Sequence, residues 1–310
     1  MNSDASKIDK YFDLTNDLMF KIVFGSKGNE KLLACLLNAL LSLKGKRQIQ
    51  ELTILNPINL PSSKDLKSTT IDIKASDKTG EIYCIEMQIN VNPAIIERII
   101  FYSAASFTQQ LGRGSRYTKL NKTIFLWILC NQFLKEKEIY NKFLIKHYKT
   151  NRVLTDLLQY HFVELNKFDE TKPALLRTKF EKWLHILKFG SYYQNLTDLP
   201  EDIKNEAEIC EVIKKMIDAN TDTQTKWELL NRDLFLSDLA TELEAAETKG
   251  RDEGIEKAAL NMLELLDEGD ITFNKAKQKL DKLKSENPKA DYWNEIYDRL
   301  NNYNPTAPKN

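Results

Sequence analysis

The sequence predicts an α/β core within residues 1–130, followed by a mostly α-helical C-terminal part. Three observations predict it. Two runs of alternating apolar residues, 66–76 and 81–91, flank Asp77-Lys78-Thr79-Gly80 and read as a β-hairpin. The unbroken run Ile124-Phe125-Leu126-Trp127-Ile128-Leu129 reads as a strand covered on both faces. Beyond residue 131 the apolar positions recur mostly with a helical period.

The elements follow in order. Residues 17–24 and 29–43 read as two helices joined around Gly25 and Gly28. The second carries a stripe of Leu32, Leu33, Leu36, Leu37, Leu40 and Leu41, with Asn29 as N-cap and Gly45 as stop. Residues 48–55 form a strand-like run ending at Asn56-Pro57, and 62–67 read as a loop. After the hairpin, a helix is expected over 93–111, with Pro93 in its first turn. A strand then spans 122–130, giving the order helix, three strands, helix, strand. The remainder is expected as helices over 173–189, 201–219, 223–266, 273–283 and 291–301, with one added strand near 160–168. Divided by composition, the chain has a core at 1–130, a helical extension at 131–222 and a long-helix region at 223–310.

Lys and Arg number 45 against 45 Asp and Glu, a balance that argues at first against a nucleic-acid protein. The balance is uneven along the chain. Residues 1–130 hold 17 basic and 12 acidic side chains, net +5, whereas 131–240 hold 17 and 18 and 241–310 hold 11 and 15, net −1 and −4. The start, MNSDASKIDKYFD, lacks a charged-then-apolar leader, and the apolar run at 124–130 is far short of the ~20 residues of a membrane helix. Four widely spaced cysteines without a Cys-x-x-Cys pair fit a reducing compartment. These features point to a cytoplasmic protein with no membrane partner.

The hairpin carries the chemistry. A three-residue loop with Gly80 at positive φ makes Asp77 face Glu81, so paired numbers sum to 158. Asp72 then opposes Glu86, Lys74 opposes Cys84 and Thr70 opposes Gln88 on one face. Ile71, Ile73, Ala75, Tyr83, Ile85, Met87 and Ile89 form the other, a core face. A two-residue loop would mix the faces. Opposed carboxylates repel unless a positive charge sits between them, and a hard divalent cation suits that place. On alternation alone the same face also reads as the solvated side of an amphipathic hairpin.

The residues also resemble a known family. Asp72 with Glu86-Met87-Gln88, within an α-β-β-β-α-β order, resembles the PD-(D/E)XK nuclease superfamily, and more narrowly the Rpn-type recombination-promoting nucleases and transposases. Asp17-Leu18-Met19-Phe20-Lys21 with Phe24-Gly25 resembles their opening D-x-x-F-K-x-x-F, and Leu37-Asn38-Ala39-Leu40-Leu41 their LN-x-x-L helix. Arg98 to Tyr102 resembles an R-x-x-x-Y helix, followed by Gln110-Leu111, Gly114 and Tyr117, and 249–254 resembles a KG-x-x-EG segment. The resemblance covers residues 11–130 well and 240–270 loosely. It implies a restriction-endonuclease-like mixed sheet flanked by helices. It also implies a metal-dependent DNA endonuclease that hydrolyses phosphodiester bonds in recombination, mobile-element or defence roles.

By the same resemblance Asp72, Glu86 and the backbone carbonyl of Met87 hold the metal, Mg²⁺ first, with Mn²⁺ or Ca²⁺ as alternatives. Gln88 stands where the superfamily usually has Lys. A neutral amide orients water but brings no charge, so the cationic role passes elsewhere or activity falls. Lys74, Arg98 with Tyr102, and Lys21 with Asp17 are the candidates, each also readable as an ordinary structural or surface pair. The basic loop Arg113, Arg116, Lys119 and Lys122, with Tyr117 among them, is the candidate DNA grip, or else a solvated loop. The three His residues show no metal-ligand spacing. The Glu/Lys-rich helix at 223–266 suits homo-oligomer contact or a solvated face. The rival reading, kept alive by Gln88, is a DNA- or protein-binding module of the same fold that does not cut. A helical scaffold is the third.

Overall fold

A computed structural model of the protein describes residues 10–55, 71–88, 94–169, 171, 174, 176–288 and 290–303. The chain forms two compact units, 1–231 and 232–310.

The first unit is built on one six-stranded mixed sheet. Its strands are β1 (Leu52–Leu55), β2 (Ile73–Asp77), β3 (Ile82–Gln88), β4 (Thr123–Leu129), β5 (Tyr140–Lys146) and β6 (Val153–Glu164), in the spatial order β1-β2-β3-β4-β6-β5. The pairs β1/β2, β2/β3 and β5/β6 are antiparallel; β3/β4 and β4/β6 are parallel. β4, flanked by parallel neighbours, is buried at every position, as its unbroken apolar run requires.

Helices cover both faces. α1 (Asp17–Phe24) is capped by Asn16, whose side chain accepts from Leu18 N and Met19 N, and α2 (Glu30–Leu40) lays its leucine stripe inward. Between β3 and β4 runs α3 (Ile95–Thr108), and α4 (Lys179–Phe189) starts at a Thr178–Glu181 capping box. The short α5 (Glu201–Lys204) leads into α6 (Ala207–Thr221). One sheet face, with Ile73, Ala75, Ile85 and Met87, shares a core with α1, α2, α4 and α6. The other, with Cys84, Phe125, Trp127 and Phe162, is covered by Ile95 and Ile99 of α3.

α7 (Thr223–Asp267) is a single 45-residue helix, and the second unit packs its Ile255, Ala259 and Leu263 against α8 (Phe273–Glu286) and α9 (Tyr292–Asn301) around Trp293. Phe235, Leu239 and Leu243, at four-residue spacing on α7, are exposed. No helix among the described residues is long and apolar enough to cross a membrane.

Three expectations change. Residues 131–222 are not set apart from 1–130, because β6 pairs with β4 and α4 and α6 complete the core of α1 and α2. The division falls after 231 rather than at 130 and 222. This stretch also adds two strands rather than one. β5 is an edge strand whose residues are mostly exposed, so it carries no clean alternation to read. The helix expected over 201–219 breaks into α5 and α6 at Asn205 and Glu206, and α4 begins at Lys179 rather than 173. The loop expected at 62–67 and the position of Pro93 lie outside the described residues.

Candidate active site

The hairpin turns as its sequence dictates. Gly80 adopts φ 85°, Asp77 N donates to Glu81 O at 3.0 Å and Gly80 N to Asp77 O at 3.1 Å. The ladder pairs Ile73 with Ile85, Lys74 with Cys84 and Ala75 with Tyr83, the register whose sums are 158. Thr70 and Ile89 lie outside the described residues. β2 starts only at Ile73, so alternation stops there, and Ile71 joins the apolar cluster under α3 rather than the opposite face expected for it.

Where β2 gives out, the carboxylates take over its hydrogen bonds. The next inward-pointing donor on β3 is Met87 N–H, and it donates to Asp72 Oδ2 at 2.9 Å. Asp72 N–H in turn donates to Glu86 Oε2 at 3.0 Å. The other oxygen of each carboxylate meets a cation. Lys21 Nζ lies 2.8 Å from Asp72 Oδ1, and Arg98 Nη2 lies 3.0 Å from Glu86 Oε1. Asp72 and Glu86 are buried, whereas the side chains of Lys21 and Arg98 keep 34% and 29% of their surface.

Two packing details bring these cations in. α1 ends at Gly25, where a Cβ would stand 2.9 Å from Lys21 O and 3.2 Å from Ile73 Cγ1. Only glycine lets the helix end settle on the start of β2, and that contact aims Lys21 at Asp72. On α3, Ile95 and Ile99 bury against the sheet, which turns Arg98 toward Glu86. The guanidinium lies 5.2 Å from the centroid of the Tyr102 ring one turn on. Asp17, one turn before Lys21 and partly buried, is near enough for its charge to raise the Asp72 carboxyl.

Electrostatics follow from burial and crowding. Loss of water and then the charge of Asp72 push the Glu86 carboxyl up to about 8. Burial also raises Asp72, against the pull of Lys21. Like charges this close share protons until a cation neutralises them. Lys74 is buried on the same face beside Cys84, whose thiol burial holds at about 12 and therefore inert. Alternation keeps Gln88 on the side of Glu86, half-buried at the strand end.

The donor set suits a hard divalent cation: two carboxylates, with the Met87 carbonyl facing the gap beyond β2 by strand alternation. Backbone N–H groups fix one oxygen of each carboxylate. The other two are capped by Lys21 and Arg98, side chains that are partly exposed to solvent. Among the described residues no group of three or more His, Cys, Asp or Glu stands together as a ready metal cage. A cation here would therefore rely on two carboxylates plus backbone and water, the usual habit of Mg²⁺.

The structure thus brings Asp72, Glu86, Lys21, Arg98 and Tyr102 together. It does not bring the basic loop to them. Residues 112–122 lead into Thr123, which pairs with Ile82, while Glu86 pairs with Trp127 four residues on. Arg113, Arg116 and Lys119 are exposed at the opposite end of the sheet, and Lys122 Nζ is engaged by Glu81 at 2.9 Å and Asp156 at 3.0 Å.

One buried charge pair escaped the sequence reading. Glu164, fully buried at the end of β6, accepts from Phe133 N and Leu134 N at 2.7 and 3.0 Å and pairs with Lys167. Lys167 also donates to Glu136 O at 2.6 Å, so the pair clamps the turn after β4. Its i, i+3 spacing is the only sequence signal, and ordinary surface pairs share it.

A family model described as "PD-(D/E)XK nuclease family transposase" matches residues 14–246, more than half of the chain. The match runs on through β5, β6, α4 and α6, well past the stretch whose motifs carried the resemblance. No curated protein and no solved structure matches the chain.

Proposed function

The chain belongs to the PD-(D/E)XK nuclease family transposases, and from that premise we propose that it hydrolyses DNA phosphodiester bonds at Asp72 and Glu86 with a divalent cation. The observation that supports the proposal is two adjacent buried carboxylates, Glu86 fixed by Asp72 N–H and Asp72 by Met87 N–H, each with its other oxygen paired to a partly exposed cation.

Asp72, Glu86 and the Met87 carbonyl hold the ion, Mg²⁺ before Mn²⁺ or Ca²⁺. When bound it supplies an acidified water and charge neutralisation at the phosphate. The backbone bonds keep both carboxylates oriented. With an ion held there, Lys21 and Arg98 would be available to the phosphate oxygens and would bring the charge that Gln88 lacks. Of the two, Arg98 is the better placed, since Tyr102 supports its guanidinium and its fork matches a phosphate. The Gln88 amide positions water, Lys74 lowers the negative potential of the face, and Asp17 restrains Lys21. The role is in DNA recombination or element mobility, with self-association through the exposed Phe235–Leu239–Leu243 stripe of α7.

Plasmid nicking tests this. Wild-type protein is expected to cut with Mg²⁺ or Mn²⁺ and not with EDTA, and Asp72→Ala and Glu86→Ala to be inactive. Cutting in EDTA, or full activity in either variant, would overturn it. Gln88 favours a second reading, a module that holds DNA without cutting; salt-sensitive binding with no cleavage under any metal would select it.

A further inference from the structure

We propose that the β5–β6 hairpin is a second nucleic-acid contact, a two-stranded ribbon whose basic tip grips the phosphate backbone of a duplex engaged at Asp72 and Glu86. The inference rests on the DNA reading for its partner and extends it to a surface at the other end of the sheet.

β6 is 12 residues long, but only Leu158–Glu164 pairs with β4. Residues 153–157 run on past the sheet with the end of β5, as a ribbon with solvent on both sides: Ile145, Val153, Leu154 and Leu157 are all exposed. The tip is ordered by its own bonds. His147 N donates to Arg152 O at 2.8 Å, Asn151 N to His147 O at 2.9 Å and Thr150 N to His147 Nδ1 at 3.1 Å. Asn151 takes φ 56°, a conformation asparagine tolerates.

Charge selects the partner. From Lys142 to Leu157 there are four Lys or Arg residues and one acid, Asp156, which is engaged by Lys122. Lys146, Lys149 and Arg152 are exposed, and Tyr148 between them is 93% exposed. Burial and then the Lys122 cation depress the Lys142 ammonium, with Asp156 and Glu81 opposing. Arg116 and Lys119, flanking the 83% exposed Tyr117, stand at the same end of the sheet. Addition of a second copy to the β5 edge is disfavoured by its two register irregularities and its lysines. A duplex suits better, since the major groove, about 12 Å wide, admits a two-stranded ribbon.

The spacing suits a single duplex. Asn141 is level with Phe162, Trp127 and Glu86 across the sheet. Lys146 lies five residues beyond, about 17 Å along the strand, and three strands from β3 and four from β2, about 14–19 Å aside. The tip therefore stands roughly 25 Å from the carboxylates, less than one turn of B-form DNA.

The test measures binding of a labelled 24-base-pair duplex in EDTA by fluorescence anisotropy across salt, so that cleavage plays no part. A Lys149→Glu, Arg152→Glu double variant is expected to bind at least tenfold more weakly at 0.15 M salt, with the log–log salt slope smaller by about 2. The double alanine variant should shift both in the same direction by less. Asp72→Ala should keep the wild-type slope, so failure to cut leaves this result standing. Unchanged affinity and slope in the double Glu variant would overturn the proposal. So would loss of binding to phosphatidylserine vesicles, or of a dimer in light scattering, with duplex binding intact.

Discussion

The two ends of one sheet handle charge in opposite ways. At the end where β2 stops, two acids are buried and each is met by a cation from a covering helix. At the other end, cations project on a ribbon and a loop with few acids to answer them. The first arrangement concentrates electrostatic energy in a small, mostly buried volume, which under the proposed function would act on a reacting phosphate. The second spreads charge in water, where it steers and holds a polyanion but is screened within about 8 Å at physiological salt. On the proposed reading, chemistry and grip are separated along the strands.

The sharpest way to break this contrast is to empty the buried end. Asp72→Ala or Glu86→Ala should lower cleavage by about a thousandfold or more, while duplex binding in EDTA stays near wild type. Arg98→Ala should lower kcat by about a hundredfold, with Arg98→Lys recovering only part, because Lys cannot reproduce the fork. Equal loss of binding in these variants would mean that the two ends are not distinct in function.

The pH response separates them as well. Glu86 has its folded carboxyl pushed above its unfolded value, so the folded state binds the extra proton. Stability from this group is present below the unfolded value and is lost as pH rises toward about 8. The thermal midpoint in EDTA should therefore fall between pH 5 and 8. Added Mg²⁺ should flatten the fall, and Glu86→Gln should remove most of it. The exposed tip should respond to salt and not to pH in this range.

The smallest effect concerns the turn that joins β2 to β3. Gly80→Ala places a Cβ at φ 85° and 3.2 Å from the Asn121 side chain, which should cost about 1 kcal/mol. A loss of a few degrees in thermal midpoint, with cleavage of folded protein unchanged, is expected.

What could be read from the sequence follows the same division. The bounds of α1 and the register of the hairpin were legible, because Gly25 after the last apolar position, Gly80 at positive φ and a core face of alternating residues are local signals, whereas the Asn16 cap was not read. The opposed pair Asp72 and Glu86 followed from that register. The contacts of Lys21 and Arg98 did not, because they depend on how α1 and α3 lie on the sheet, through Gly25 against Ile73 and Ile99 against the core. The ribbon was missed for the reverse reason. β5 is at most half-buried and the start of β6 is exposed, so no buried face imposes alternation, and Lys142, Phe143, Leu144 and Ile145 fit no period. The basic loop was legible as a loop, but its distance from the acids was not, since only the parallel pairing of β3 with β4 sets it.

The bonds that cap the carboxylate pair have one more consequence. Lys21 and Arg98 together carry two positive charges, the same number as one divalent ion. Because the raised Glu86 carboxyl keeps a proton near neutral pH, loading the pair would exchange two monovalent counter-ions and that proton for one divalent ion. Metal and proton would therefore compete for the same pair. On the proposed function, ion affinity would be set by the difference between two partly neutralised states rather than by the full attraction of bare acids, and the displaced Lys21 and Arg98 would stand as cations beside the bound phosphate.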